Sequence, residues 1–580
     1  MSIAEAATFV DRSAATVRRW AREGAIQAQK SGGIWLVLRN EVENASKGSY
    51  LVSRISTLNV DAYTTLHQAW GRVLSDVVRD DLPDIIDYQD FATAAPHEIG
   101  IIAGQLGDGT YEPKPLTAIE MPKDNIRSRP LSRLAIEDRL VYEAAVQSIA
   151  RSVDSHLSNS VYSHRLLTNP SPTKFVRYFG TAFAQFESYY PSADFDGVCL
   201  KTDLTSFYEY IDYNQLLDSI DIDDSQQSVI NLLRLLLRHW QSQSRVIGLP
   251  QGPNASGILA NAYLLDADTT ALSYAAGYAR FSDDMKIFFV SAEEARQFAP
   301  RLVGSLRNVG LNLAPIKTTL TQVAEMRKDH RAMRRSAAQY DVELALAGSV
   351  KELREIFDGS VVDLDHINVS DFRFSLWRLG LLEDDYPLAK IIEILPRLPF
   401  AASIVADYLL RVGYRQGAAD AICNYLLSED NVHPWTEIQL LRLVGRFDNV
   451  PNRLVSRLRQ LTEHEVGVLG DFATRVLGAV GSQHDSLRLK LMAKRTDLPV
   501  SRRRAAVIGA ADIGGKSDRS WARALTTGGN PVEIQRAAKY VLGGHPIPPT
   551  LVQRRTPEWV DQLRRSAEED GILRPREYSH

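Results

Sequence analysis

GYARFSDDMKIFFV, residues 277–290, carries a hairpin signature: the short apolar runs GYAR and MKIFFV flank the acidic pair of FSDD, Phe281 to Asp284. Runs of this kind predict strands, which puts Asp283 and Asp284 at a tight turn between core strands. Two carboxylates beside apolar strands are costly unless a metal or a base offsets their charge. Adjacent aspartates alone mean little, because pairs also begin at Asp80, Asp223 and Asp384, where a solvated loop is the better explanation.

The upstream segment VCLKTDLTSFYEYID supplies context, because it places Asp203 at the end of an apolar strand, followed by Phe207 and Tyr208 before a helix. A third carboxylate can therefore join the pair. Acids of this kind hold two Mg²⁺ ions, which lower the pKa of a primer hydroxyl, align it with an α-phosphate and stabilise departing pyrophosphate. Between the two acidic motifs lies GLPQGPNASGILAN, residues 248–261, a glycine-rich turn leading into a helix of small residues. Backbone can approach a nucleotide there.

Taken in order, KTDLTSFYEY, GLPQGPNASGILAN, FSDD and GLNLAPIKT resemble the palm motifs of reverse transcriptases. The resemblance implies an α+β right-hand polymerase with fingers and palm, using dNTPs, an RNA template or noncoding RNA, and two Mg²⁺ ions, with Mn²⁺ as a substitute. DNA is then the product. It further implies that Asp203 and Asp283 bind both metals, that Asp284 supports the site, and that the Leu204 carbonyl adds a ligand. Tyr208 falls where the family places its steric gate against a ribose 2′-hydroxyl, although either Phe207 or Tyr208 also reads as a core aromatic. Gln251 and Gly252 occupy positions that line the incoming nucleotide, and Lys317 matches a lysine that protonates pyrophosphate. The family usually has tyrosine where this chain has Phe281, which removes one hydrogen bond near the primer end. RSRPLSRLAIEDRLVYEAAV resembles the fingers segment, with Arg127, Arg129 and Arg133 as candidates to clamp a triphosphate. VYSHRL, with His164 and Arg165, resembles another fingers motif, and a core histidine explains it equally well.

Residues 1–46 read as helix, turn, helix and hairpin, with a turn at Ser31, Gly32 and Gly33. The pattern resembles excisionase-type winged helices, and it turns Arg18, Arg19 and Arg22 toward DNA or, equally, toward solvent. The fingers and palm would span 47–335. They end in the basic run MRKDHRAMRR, where Arg331, Arg334 and Arg335 could track a nucleic-acid backbone. Residues 336–580 form recurring helices such as LRLVGRF, RLVSRLRQL, ATRVLGAV and RRAAVIGAADI, which reads as a thumb or HEAT-like repeat domain, with an ordinary bundle as the alternative.

That long helical part resembles the abortive-infection and related defence-associated bacterial reverse transcriptases, some of which extend DNA without a template from a tyrosine of the protein. A nucleic-acid-binding regulator built on an inactive polymerase scaffold is the competing class. The 580 residues carry 67 Lys and Arg against 71 Asp and Glu, so the net charge of -4 gives no global nucleic-acid signature. Cys199 and Cys423 are too few for a zinc cluster or a disulfide framework. No apolar run spans a bilayer and no signal peptide is visible, so the expectations are a cytoplasmic protein, no membrane partner, and helical surfaces suited to homo-oligomers.

Overall fold

The computed structural model describes residues 2, 5–6, 28–31, 34–37, 62–77, 80–124, 126–221, 226–243, 248–328, 346, 348–413, 416–465, 467–516, 518–552 and 558–573. The chain is mixed α+β and mostly helical, with small sheets. It divides into two compact units, each drawn from separated stretches. The first takes Met1–Asp80, Ala95–Leu116 and Ser132–Met326, and the second takes Asp81–Ala94, Thr117–Leu131 and Arg327–His580.

Near the N-terminus, β1 (Ala28–Ser31) pairs antiparallel with β2 (Ile34–Val37). Ser31 is already paired with Ile34, so the hairpin is tighter than the three-residue turn the glycines suggest. Arg18, Arg19 and Arg22 lie outside the described residues, as do Arg331, Arg334 and Arg335. The Gly- and Pro-rich stretch after residue 107 forms a second two-stranded sheet of β3 (Thr117–Pro122) and β4 (Ser128–Arg133).

The centre of the first unit is a four-stranded sheet of β5 (Val198–Thr202), β6 (Gly277–Phe281), β7 (Asp284–Phe289) and β8 (Thr319–Gln322), in the order β6-β7-β5-β8. Every neighbour is antiparallel. The helices used below are α1 (Ala62–Val77), α2 (Ile136–His156), α3 (Phe179–Glu187), α4 (Asn254–Tyr263), α5 (Leu265–Tyr274) and α6 (Ala292–Asn308).

Strand alternation gives the sheet two different faces. Tyr278 and Arg280 turn to the face covered by α5 and α6, where both reach Asp268 of α5. On the opposite face Ala279 and Phe281 pack with Ala182 and Phe186 of α3, while Cys199 and Phe288 pack with Val323 and the aromatic loop of Tyr189, Tyr190 and Phe195. Register then aligns Phe281 with Asp284 and Lys201 with Lys286 on this second face.

Apart from β3 and most of β4 the second unit is helical, and among the described residues beyond Gln322 no strand occurs. Of the four runs with helical spacing, LRLVGRF begins in the helix Pro434–Val444 and runs past its end at Gly445, whereas the other three fall in Asn452–His464, Val468–Val480 and Val500–Gly514. The last two cross at a pair of glycines: a Cβ on Gly478 would sit 2.2 Å from the Gly509 Cα, so only hydrogen fits. Arg504 is buried and makes paired bonds to both Asp84 and Asp90 at 2.6–3.0 Å.

Candidate active site

The turn between β6 and β7 is Ser282 and Asp283, Asp284 opens β7 opposite Phe281, and Ser282 adopts a left-handed φ of 58°. Such a backbone is unfavourable for a non-glycine residue and must be held by its surroundings. Two bonds hold it: the Ser282 N–H donates to the Ser163 hydroxyl at 2.8 Å, and its carbonyl accepts from Arg280 at 3.1 Å. Arg280 is wholly buried, forks onto both Asp268 oxygens at 2.6 Å and reaches the Asn261 side chain at 3.0 Å. Asn261 in turn donates to the Ser163 carbonyl at 2.8 Å, which closes the network.

Asp203 follows β5 and is 5% exposed. Its carbonyl accepts from the Ala314 N–H at 2.7 Å, Leu204 bridges to Leu313, and Thr205 N–H donates to Asn312 O at 3.0 Å. The segment GLNLAPIKT is thereby stitched along the Asp203 strand end. That contact delivers Lys317, whose ammonium forms an ion pair with the Asp203 carboxylate.

Burial and the negative charges of Asp203 and Asp284 raise the Asp283 carboxyl above its ordinary range. Asp284 is raised by burial and by Asp203, with Lys317 and Lys201 working against the shift. Burial disfavours the Lys317 ammonium, but the hydrogen bond and charge of Asp203 more than compensate and hold it above its usual value. Three carboxylates therefore feel one another strongly, with one cation among them. Hard oxygen donors carrying excess negative charge suit Mg²⁺ or Mn²⁺, so the donor set fits a divalent ion in charge and ligand type. As they stand, no three ligand-type side chains among the described residues converge to hold one. The Lys317 ammonium is the cation paired with Asp203.

Tyr208 reaches the same turn. Its hydroxyl lies near Ser282, which works against the shift, while burial and the nearby Asp283 charge push it up to about 12. The expected helix begins at Phe207, one residue after Ser206 takes a left-handed φ of 47°, so both aromatics lie inside the short turn Phe207–Tyr210. Phe207 is buried as core, and its ring meets Tyr208 edge-on at 5.4 Å. Leu249 N–H donates to the Tyr208 carbonyl at 2.9 Å, and a Cβ on Gly248 would sit 1.8 Å from that oxygen. GLPQG is thus laid directly on the Tyr208 backbone. Gln251 accepts from Ser132 N–H through its carbonyl at 3.4 Å, and Gly252 takes a φ of 131° and is exposed.

The start of α4 is fixed by acids. Asp76 accepts from the Asn254 N–H and side chain at 3.1 and 2.6 Å, and Glu143 accepts from the Ala255 N–H at 3.2 Å. Arg139 pairs with Asp76 at 2.6 Å and Asp80 at 3.2 Å, so burying these carboxylates is offset. The His164 ring fills the space left by Gly257, and burial lowers its pKa to about 4, which keeps it neutral. Arg165 is tied to Asp154 at 2.8 Å. Arg129 belongs to the second unit and pairs with Asp81 at 3.2 Å, while Arg133 ends β4 in the first. The network of Ser163, Asn261, Asp268 and Arg280 was passed over in the sequence, where the only signal is an arginine at an alternating core position of GYARF.

Residues 1–44 match the family model described as a helix-turn-helix domain. The chain is also 27% identical over 180 residues to the Group II intron-encoded protein LtrA of Lactococcus lactis subsp. cremoris, and equally to that of strain MG1363. These matches cover 30% of this chain and 28% of the relative, so the chain spans well under a third of the length of the curated relatives it matches. Among the described residues no helix is long and apolar enough to cross a membrane.

Proposed function

We propose that the chain is an RNA-directed DNA polymerase that transfers nucleotides from dNTPs at Asp203, Asp283 and Asp284. The single observation that carries this reading is the meeting of three motifs, distant in sequence, at one end of one sheet: Asp203 with Lys317, the FSDD turn, and the GLPQG loop resting on Tyr208. The likeness to the intron-encoded protein supports it. In the reaction the primer 3′-oxygen forms a bond to the α-phosphorus, the bond to the β-phosphate oxygen breaks, and pyrophosphate leaves. Divalent ions, when bound, acidify the primer hydroxyl and stabilise charge on the pyrophosphate.

In this reading Asp203, Asp283 and Asp284, with the Leu204 carbonyl, would hold the divalent ions, and Lys317, beside Asp203, would hold a proton for the leaving oxygen. Tyr208 forms the floor against the deoxyribose with the buried Phe207 packed behind it, and Gln251 and Gly252 border the base. The fingers and palm are residues 47–335. The helical second unit supports a role in bacterial antiphage defence, since extended helical surfaces suit partners and assembly. The helix-turn-helix match favours DNA recognition by residues 1–46, and makes a nucleic-acid-binding regulator the second reading.

The test is incorporation of labelled dNTPs by purified protein with Mg²⁺, comparing an RNA template with primer, no added nucleic acid, and an Asp283→Ala control. RNA-dependent product lost in the control is the expected result. Product without RNA points to protein-primed or untemplated synthesis, and no product above the control overturns the polymerase reading.

A further inference from the structure

The α3 helix carries more aromatic surface than the sheet covers. Ala182 and Phe186 face the sheet and are buried, whereas Phe179 and Phe183 remain 59% and 36% exposed. Their rings lie parallel, 5.9 Å apart, and Phe281 meets them edge-on at 5.1 and 5.2 Å. Tyr178 extends the surface and is 64% exposed. A contiguous exposed apolar patch of this kind marks a binding surface more often than a solvated helix face.

Two further observations identify the occupant. First, Phe281 directly precedes Ser282 and Asp283, and strand register puts it on the same sheet face as Asp284, Lys201 and Lys286, so the ring that buttresses the patch stands beside the candidate active site. Second, the surrounding chain is basic: no acidic residue occurs between Asp154 and Glu187, and Lys174 and Arg177 are exposed just before the aromatics. Cations interleaved with exposed rings suit phosphates and the flat faces of bases and sugars.

We propose that Tyr178, Phe179 and Phe183, with Lys174 and Arg177 beside them, form a docking shoulder for the template–primer duplex next to the carboxylates. The shoulder rests on the polymerase reading for the identity of its ligand. Phe281, edge-on to both Phe179 and Phe183, buttresses these rings from below.

The test is binding of a fluorescein-labelled RNA–DNA primer–template hybrid to the full chain, without dNTPs, for the wild type, Phe179→Leu, Phe179→Tyr and Arg177→Gln. Phe179→Leu should raise the Kd about 10-fold, within the range for loss of a ring beneath a base, and Phe179→Tyr should restore it. Arg177→Gln should reduce the slope of log affinity against log salt by roughly one. In the wild type, 5-iododeoxyuridine placed in the DNA strand near the primer terminus should crosslink on irradiation to the peptide containing Phe179. Unchanged affinity and salt slope in well-folded variants, or absence of that crosslink, overturns the shoulder. A change of oligomeric state in Phe179→Leu with unchanged hybrid binding also overturns it, in favour of a subunit interface. Incorporation of dNTPs with no effect of Phe179→Leu sinks the shoulder alone. Ring-dependent binding and crosslinking without incorporation sinks the polymerase reading and leaves the shoulder standing.

Discussion

Arg280 grips Asp268 through two bonds of 2.6 Å, and the same guanidinium donates to the Ser282 carbonyl that begins the acidic turn. Neither residue is solvent-accessible enough to be rescued by water. Arg280→Met should therefore cost about 3–5 kcal/mol by leaving Asp268 charged and buried with only the Tyr278 hydroxyl to hold it. Urea unfolding measures it, and a wild-type midpoint would show that the turn does not depend on this pair. Asp268→Asn keeps the volume but leaves the buried Arg280 charge without its ion-pair partner, so it should lose stability on the same scale and also lower incorporation, as the anchor of the Ser282 backbone loosens.

Gly248 is required by distance rather than by φ, since the carbonyl of Tyr208 occupies the space of a side chain. Gly248→Ala should cost roughly 1–3 kcal/mol, as overpacking does. It should also raise the KM for dNTPs, because the GLPQG loop must lift from Tyr208. Steady-state kinetics with unchanged KM would separate the loop from nucleotide binding.

Tyr208 offers a two-variant comparison. Tyr208→Ala should relax discrimination against ribonucleotides, read as the ratio of kcat/KM for dNTP over NTP. Tyr208→Phe should keep that ratio, because the ring that faces the sugar is retained and only the hydroxyl is lost. Equal ratios in wild type and Tyr208→Ala would remove Tyr208 from sugar selection.

In the second unit, paired bonds from Arg459 at 2.7 and 2.9 Å, with help from Ser482, lower the Asp485 carboxyl from 3.8 to about 2. A lowered carboxylate stabilises the fold fully above its unfolded value, and the contribution disappears as pH falls from about 4 to about 2. Asp485→Asn should lose roughly 1–2 kcal/mol at neutral pH and show a flatter stability profile across that acid window. Thermal unfolding between pH 2 and 7 checks both. Parallel profiles would place the acid sensitivity elsewhere.

The parts of the fold legible in the sequence are those written locally. FSDD between apolar runs gives its hairpin, Asp203 ends its strand, and LRLVGRF or ATRVLGAV give helices, because period and turn chemistry act over a few residues. The partners of charged side chains are not local. VSRRRAAV looks like a solvated basic face, yet Arg502, Arg503 and Arg504 are all buried. Arg504 depends on acids whose position in sequence gives no hint of the pairing. Arg129 reads as an anion clamp and is found on Asp81. Arg280 looks like a strand residue of unexplained charge until Asp268 and Asn261 are placed behind it. The clustering of acids is therefore readable, whereas the framework that holds their geometry is visible only in three dimensions.

The separation of 420 residues between Arg504 and Asp84 also sets a timetable for biosynthesis. At about 5–20 residues per second, the 81–94 segment leaves the ribosome tens of seconds before the arginine that neutralises it has been made. During that interval most of the first unit's sequence emerges while two acids of the second remain unmatched. The helical unit thus cannot mature as a trailing bead on a finished string. Its closure is deferred to the end of translation, and a ribosome that stops before Arg504 releases a chain in which this joint was never made.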